Sequence, residues 1–189
     1  MGRLGRFLLG LAGPAVAYAS VAASVAASPW FSWASNALSD LGHSARSPVA
    51  PVFNAGLILG GALTLAYAAR YMAPEAPAGG AALALTSVLM QMVGGFDEAY
   101  GTLHLYVSLA FFGAGLVAPM VHALETSRPR GALYAMLALI PWMLYPSLPV
   151  GIAVPELLST LPVAAWVVDH SLTGLGSHID IPQRYIRVR

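Results

Sequence analysis

Residues 102–123 read TLHLYVSLAFFGAGLVAPMVHA, twenty-two positions without one Asp, Glu, Lys or Arg. A bilayer hydrocarbon layer about 30 Å thick is crossed by roughly 20 such residues in helical form. A helix pairs its own backbone N–H and C=O groups, as a segment in lipid must. The run is too long and too continuously apolar for the alternating strands of a membrane barrel. Five further stretches have the same character, at about 7–27, 49–70, 79–96, 131–147 and 150–170. The expected fold is therefore all-α: a polytopic membrane protein built as a six-transmembrane-helix bundle over residues 1–172, with a short cytoplasmic tail at 173–189.

Composition supports that solvent. The chain is 58% hydrophobic and 9% charged, against about 25% charged in a soluble domain. It has no cysteine, so disulfides, thiolate metal sites, iron–sulfur clusters and thioether-linked haem are excluded. All nine basic residues are arginine, and Asn and Gln are confined to Asn36, Asn54, Gln91 and Gln183. Scarce amides fit a thermophilic source; a GC-rich genome accounts equally well for arginine over lysine.

Arginine placement gives an orientation. Six crossings put Arg3, Arg6, Arg70, Arg128, Arg130, Arg184, Arg187 and Arg189 on one side and Arg46 alone on the other. The positive-inside rule then places both termini in the cytoplasm of a prokaryotic cell membrane. A cleaved signal peptide is the competing reading of the N-terminus; a retained helix keeps the arginine pattern. Trp30, Trp33, Tyr100, Trp142 and Tyr145 fall at the opposite ends, as an aromatic belt does. Pro155 and Pro162 are expected to kink the sixth helix.

Small residues suit close helix packing in lipid. Gly56 and Gly60 stand four apart on the second helix, and Ser20, Ser24 and Ser28 line one face of the first. Packing within the monomer is the favoured reading, with a homo-oligomer interface as the alternative.

The polar residues gather at the predicted outer ends. The loop PWFSWASNALSDLGHSARSP, 29–48, holds Asp40, His43 and Arg46, and a short helix is expected over Ser35 to Leu41. Asp97 and Glu98 fill the next outer turn, and His104 begins the fourth helix. Glu156 lies about 9 Å down the sixth helix at 1.5 Å per residue, with Asn54 at similar depth. An acid within a span is costly and marks a candidate functional site. Asp40, three residues before His43, is placed to orient its ring. On the inner side His122, His170 and His178 read as helix-end histidines in a solvated interface, with a second cofactor site on His122 and His170 as the alternative.

Three segments are familiar together: NALSDLGHS at 36–44, FNAGLILGGAL at 53–63 and GGFDEAYGTLHLYVSLAFF at 94–112. They resemble the domain-of-unknown-function 998 family of prokaryotic multi-helix membrane proteins. The likeness covers the first four helices and draws attention to Asn36, Ser39, Asp40, Gly42, His43, Asn54 and His104. It implies the fold and no activity.

Several functions fit these residues. Two outer imidazoles could ligate a b-type haem, which needs no cysteine. The expected set is then His43 and His104 as ligands, with Arg46, Asp40, Asn54 and Glu156 around them, electron transfer as the role, and a quinone or redox protein as partner. The alternative is an interfacial lipid hydrolase holding zinc through Asp40, His43, Asp97, His104 and Glu156, with Ser39 or Ser44 polarising the substrate. A carrier using Glu156 and Asn54 lacks the duplicated half that transporters often show; a structural subunit of a membrane complex is the remaining class. Whether the chain is an enzyme is left open. Membrane lipids are the expected surroundings. The tail arginines read as headgroup contacts, and nothing points to nucleic acid.

Overall fold

The computed structural model describes residues 2–176, and among them there is no strand. The helices are α1 (Arg3–Ala26), α2 (Ala50–Tyr67, continued by a π-helical turn at Ala68–Met72), α3 (Pro77–Gly95), α4 (Thr102–Thr126), α5 (Arg130–Leu144) and α6 (Ala153–Gly176). Short 3-10 turns occupy Ser39–Gly42, Glu98–Tyr100 and Tyr145–Ser147. The tail arginines Arg184, Arg187 and Arg189, with His178, lie outside the described residues.

Six helices thus stand where six apolar stretches were read. Four of them, α1, α2 with its π turn, α3 and α4, are long and apolar enough to cross a membrane. The fifteen residues of α5 give about 22 Å of helix, short of the hydrocarbon layer. The 24 residues of α6 are long enough, but Glu156, Asp169 and several hydroxyls dilute their apolar character.

Helix boundaries follow local chemistry. Pro51 and Pro77 sit in the first turns of α2 and α3, where a missing N–H costs nothing. The start of α3 is capped from a distance: Glu125, near the end of α4, accepts from Ala78 N at 3.0 Å and Gly79 N at 2.8 Å. That carboxylate meets the positive end of the α3 dipole. Ser127 closes α4 in the left-handed region at φ 55°. Pro155 occupies the first turn of α6 and interrupts no helical bond there, so of the two expected kink sites only Pro162 is interior.

Each helix packs on the next, and α1 closes the ring on α6. A direct contact between α4 and α6 leaves α5 outside. The glycine pattern on α2 serves the α1–α2 seam within one chain. A Cβ on Gly56 would lie 1.8 Å from Ser20 Oγ, and one on Gly60 would lie 2.9 Å from Gly13 O. Leu109, Leu124, Leu133 and Met143 point outward, as lipid-facing residues do in a bundle without an aqueous surface there.

Two apolar cores lie at opposite ends. One, at the end where α1 begins and α6 finishes (the terminal end), holds Tyr67, Met72, Leu83, Trp166 and Val167. The other, under the 29–48 loop (the loop end), holds Val21, Leu38, Leu41, Phe53 and Ala153.

Candidate functional site

The 29–48 loop folds back over the start of α6. Gly151 N donates to Trp33 O at 2.8 Å, and Ala153 N donates to Asn36 O at 3.0 Å. A Cβ on Gly151 would stand 2.8 Å from Asn36 O, so this approach requires glycine. The expected helix over 35–41 is replaced by a turn at Ser39–Gly42, because side chains take the backbone donors. Asn36 Oδ1 accepts from Ser32 N at 2.9 Å, and Asp40 Oδ2 accepts from Ala37 N at 2.9 Å and Asn36 Nδ2 at 2.7 Å. Such local bonds compete with helix formation. Asn54 Nδ2 donates to Gly42 O at 2.8 Å, tying the loop to α2. Asn36, Asp40, Gly42 and Asn54 therefore work as a clasp.

The clasp brings acids together. Glu156 Oε2 accepts from Leu38 N at 2.6 Å, and the charges of Asp40 and Glu98 reach Glu156. Asp40 also meets Glu98 carboxyl to carboxyl. Neither carboxylate can donate to the other, and Glu98 Oε2 is buried with no hydrogen-bond partner. A proton on Glu98 supplies the missing donor. Burial first, then Asp40, pushes the Glu98 carboxyl up to about 7, with Arg46 opposing. Among the described residues, no three His, Asp or Glu side chains are arranged to hold a metal ion, so the zinc set expected from sequence is not assembled.

A pH dependence follows from Glu98. Its folded value lies above the ordinary carboxyl value, so its contribution to stability is fully present below about 4.5 and is lost as pH rises through about 7. Thermal unfolding in nanodiscs should show a midpoint that falls between pH 5 and pH 8. Glu98→Gln should flatten that fall and raise the midpoint at pH 8; an unaltered slope would remove the shared-proton account.

The two histidines predicted as ligands have different hydrogen-bond partners. His43 follows the turn, and its Nδ1 accepts from Ala45 N at 3.3 Å, so Asp40 does not orient it. His104 is buried on α4, with Nδ1 2.7 Å from Phe96 O and Nε2 3.2 Å from Ser108 Oγ. A carbonyl only accepts, so Nδ1 carries the proton and Nε2 the lone pair.

Between the two cores runs a cavity of about 160 Å³. It is lined by every helix except α5 and extends from Glu156 to Val167 along α6. The eleven rises between them cover about 16 Å at 1.5 Å per residue. The cavity is an elongated slot that follows α6. Many wall residues carry hydroxyls, yet the wall is apolar. Thr86 donates to Ala82 O at 2.9 Å, Ser87 to Leu83 O at 2.7 Å and Thr160 to Leu157 O at 2.9 Å. Tyr18 donates to Thr160 Oγ1 at 2.9 Å. The helices absorb these donors internally.

The terminal end holds a second polar group that sequence reading dispersed. Arg6, read as one of the arginines that mark the cytoplasmic side, is buried. It pairs through Nη1 with Glu75 Oε1, through Nη2 with Glu75 Oε2 at 3.0 Å, and donates to His170 O at 3.0 Å. Tyr67 OH lies 2.7 Å from His170 Nδ1, and the His122 and His170 rings meet edge-on at 5.0 Å. His122 and His170 are buried, not members of a solvated interface, because α4 and α6 converge on them. Burial raises the Glu75 carboxyl, but Arg6 outweighs it and holds the group below its ordinary range. Glu75 stood in the loop after α2 with nothing in its neighbourhood to single it out; the one signal available was the need of an arginine inside an apolar helix for an acid.

No curated protein and no solved structure matches the chain. A family model described as "Protein of unknown function (DUF998)" matches residues 11–172.

Proposed function

The chain belongs to the DUF998 family, and from that premise we propose that it is a membrane protein of the prokaryotic cell envelope that binds a single-chain amphiphile in its central slot. Six crossings with both termini in the cytoplasm are part of the proposal, supported by the six helices and the arginine distribution. The hydrocarbon tail occupies the slot between Glu156 and Val167. The head sits at the mouth, where Glu156, Asp40 and Glu98 favour hydroxyl or ammonium donors. One observation carries this reading: an elongated, apolar-walled cavity ends at Glu156, beside the carboxyls of Asp40 and Glu98. Ligand sites combine an apolar body with a few convergent polar groups in this way.

Gly115 supplies the test. It lines the slot, and a Cβ there would meet Thr86 Cγ2 and Val163 Cγ2 at 3.9 Å, ordinary contact. Gly115→Ala should fold normally and keep binding, whereas Gly115→Leu fills the slot. Equilibrium binding of a fluorescent single-chain amphiphile to protein in nanodiscs should weaken at least tenfold in Gly115→Leu. Equal affinity in the two variants would overturn the assignment.

A b-type haem on His43 and His104, serving electron transfer, is the second reading. The hydrogen bond of His104 Nδ1 to Phe96 O favours it, since that bond leaves Nε2 as the ligating nitrogen. Ser108 would have to move aside. Protein from haem-replete cells would then show a Soret band that His104→Ala abolishes; a colourless preparation rules the haem out.

A further inference from the structure

The ring of helices is closed at the terminal end by α1 against α6, and one side chain spans that seam. Arg6 of α1 reaches the carbonyl of His170 on α6 at 3.0 Å and its Nδ1 at 3.3 Å. Tyr67 of α2 approaches the same nitrogen at 2.7 Å. Arginine can only donate. Two donors aimed at one ring nitrogen require a lone pair on Nδ1, so the neutral ring carries its proton on Nε2. Nε2 faces Glu75 Oε2 at 3.6 Å, and Glu75, about half exposed, connects the ring to water.

Protonation changes this geometry directly. A proton added to the Nδ1 lone pair turns an acceptor into a donor. Tyr67 can answer by reversing its hydroxyl, because a phenol both donates and accepts. Arg6 cannot reverse, and its guanidinium would face a second cation at 3.3 Å. Of the groups packed around the ring, Arg6 on α1 and Arg128 beyond α4 oppose the new charge, as would a protonated His122. Glu75 alone favours it, and Glu75 is already engaged by Arg6. The tie is also incomplete at rest: Arg6 Nε is buried with no hydrogen-bond partner.

We propose that His170 is a proton-binding site that unlatches α1 from α6, so that exchange of the chain in the slot is coupled to protonation at the terminal end. The coupling rests on the slot reading above; the latch does not. The slot wall includes Ala17 and Tyr18 of α1 and Thr160 and Val163 of α6, so parting this seam opens the wall between them.

The chain has no native cysteine, which makes site-directed labelling simple. Leu8 on α1 and Leu172 on α6 both face outward near the terminal end. Spin labels at Leu8→Cys and Leu172→Cys in nanodiscs should give a distance that lengthens, beyond the width of its own distribution, as pH is lowered from neutral to below about 4. His170→Gln should hold the short distance throughout. In the labelled protein with His170 intact, a buried-histidine resonance in carbon-13 spectra should titrate at the same midpoint as the distance, a check that does not depend on the variant folding. A distance unchanged by pH, or a change that persists in His170→Gln, overturns the latch. Binding of the fluorescent amphiphile is followed over the same range. If the distance moves and the probe never binds, the slot reading fails and the latch stands; if the probe binds equally at all pH values while the distance moves, the coupling fails.

Discussion

Glu75→Ala is expected to cost about 2–3 kcal/mol, below the about 3–5 kcal/mol lost when one partner of a fully buried ion pair is removed, because Glu75 is half exposed. The asymmetry of the pair sets the size. The Arg6 side chain is 10% exposed and that of Glu75 is 51% exposed. Removing Glu75 leaves a largely buried guanidinium beside Tyr67 and His170 without its counter-charge. Removing Arg6 leaves a carboxylate that turns outward and hydrates. Arg6→Met should therefore cost far less than Glu75→Ala, and adding it to Glu75→Ala should recover most of the loss, as when apolar side chains replace a whole buried pair. Denaturant unfolding of the three variants in mixed micelles measures this. Equal costs for the two single variants would mean that the pair lies in a wetter place than the structure shows.

Gly56→Ala is expected to be comparably damaging for a geometric reason. Its new Cβ would fall 1.8 Å from Ser20 Oγ and 2.0 Å from Ser20 Cβ, so the α1–α2 seam must part. Overpacking of this kind costs about 1–3 kcal/mol, occasionally more. The remedy lies across the seam: Ser20→Gly combined with Gly56→Ala removes the clashing Oγ and Cβ and leaves one Cβ in the seam, now on α2. The double variant should regain most of the stability, an interaction energy at the upper end of the range of about 0.5–3 kcal/mol for contacting residues. Simple additivity of the two costs would contradict the packing described. Gly113→Ala is the control, since a Cβ there meets nothing within 4 Å.

The helices were legible because lipid imposes a length and a composition on each segment, and both can be read without knowing any neighbour. Crossing number was less so: α5 is simply short. At the loop end, Asp40, Asn54 and Glu156 stood out as polar groups in apolar surroundings, and the structure gives each a partner. Glu98 was visible but not as their companion, because the clasp that carries Asp40 toward it depends on Gly151 admitting the loop backbone. The terminal group was least legible. Arg6 and Glu75 are 69 positions apart, Arg6 and His170 are 164 apart, and no periodicity links residues across such distances. Arginines near helix ends also have a ready topological explanation, which hid the one that is buried.

The position of α5 outside the ring divides the chain into parts under very different demands. It contributes no side chain to the slot, and most of its large apolar side chains face outward. A saturation library should find it the most forgiving helix, tolerant of almost any hydrophobic exchange on its outer face, while α1 and α2 reject single methyl groups. Exchanges there leave the shape of the slot untouched, because no α5 side chain lines it.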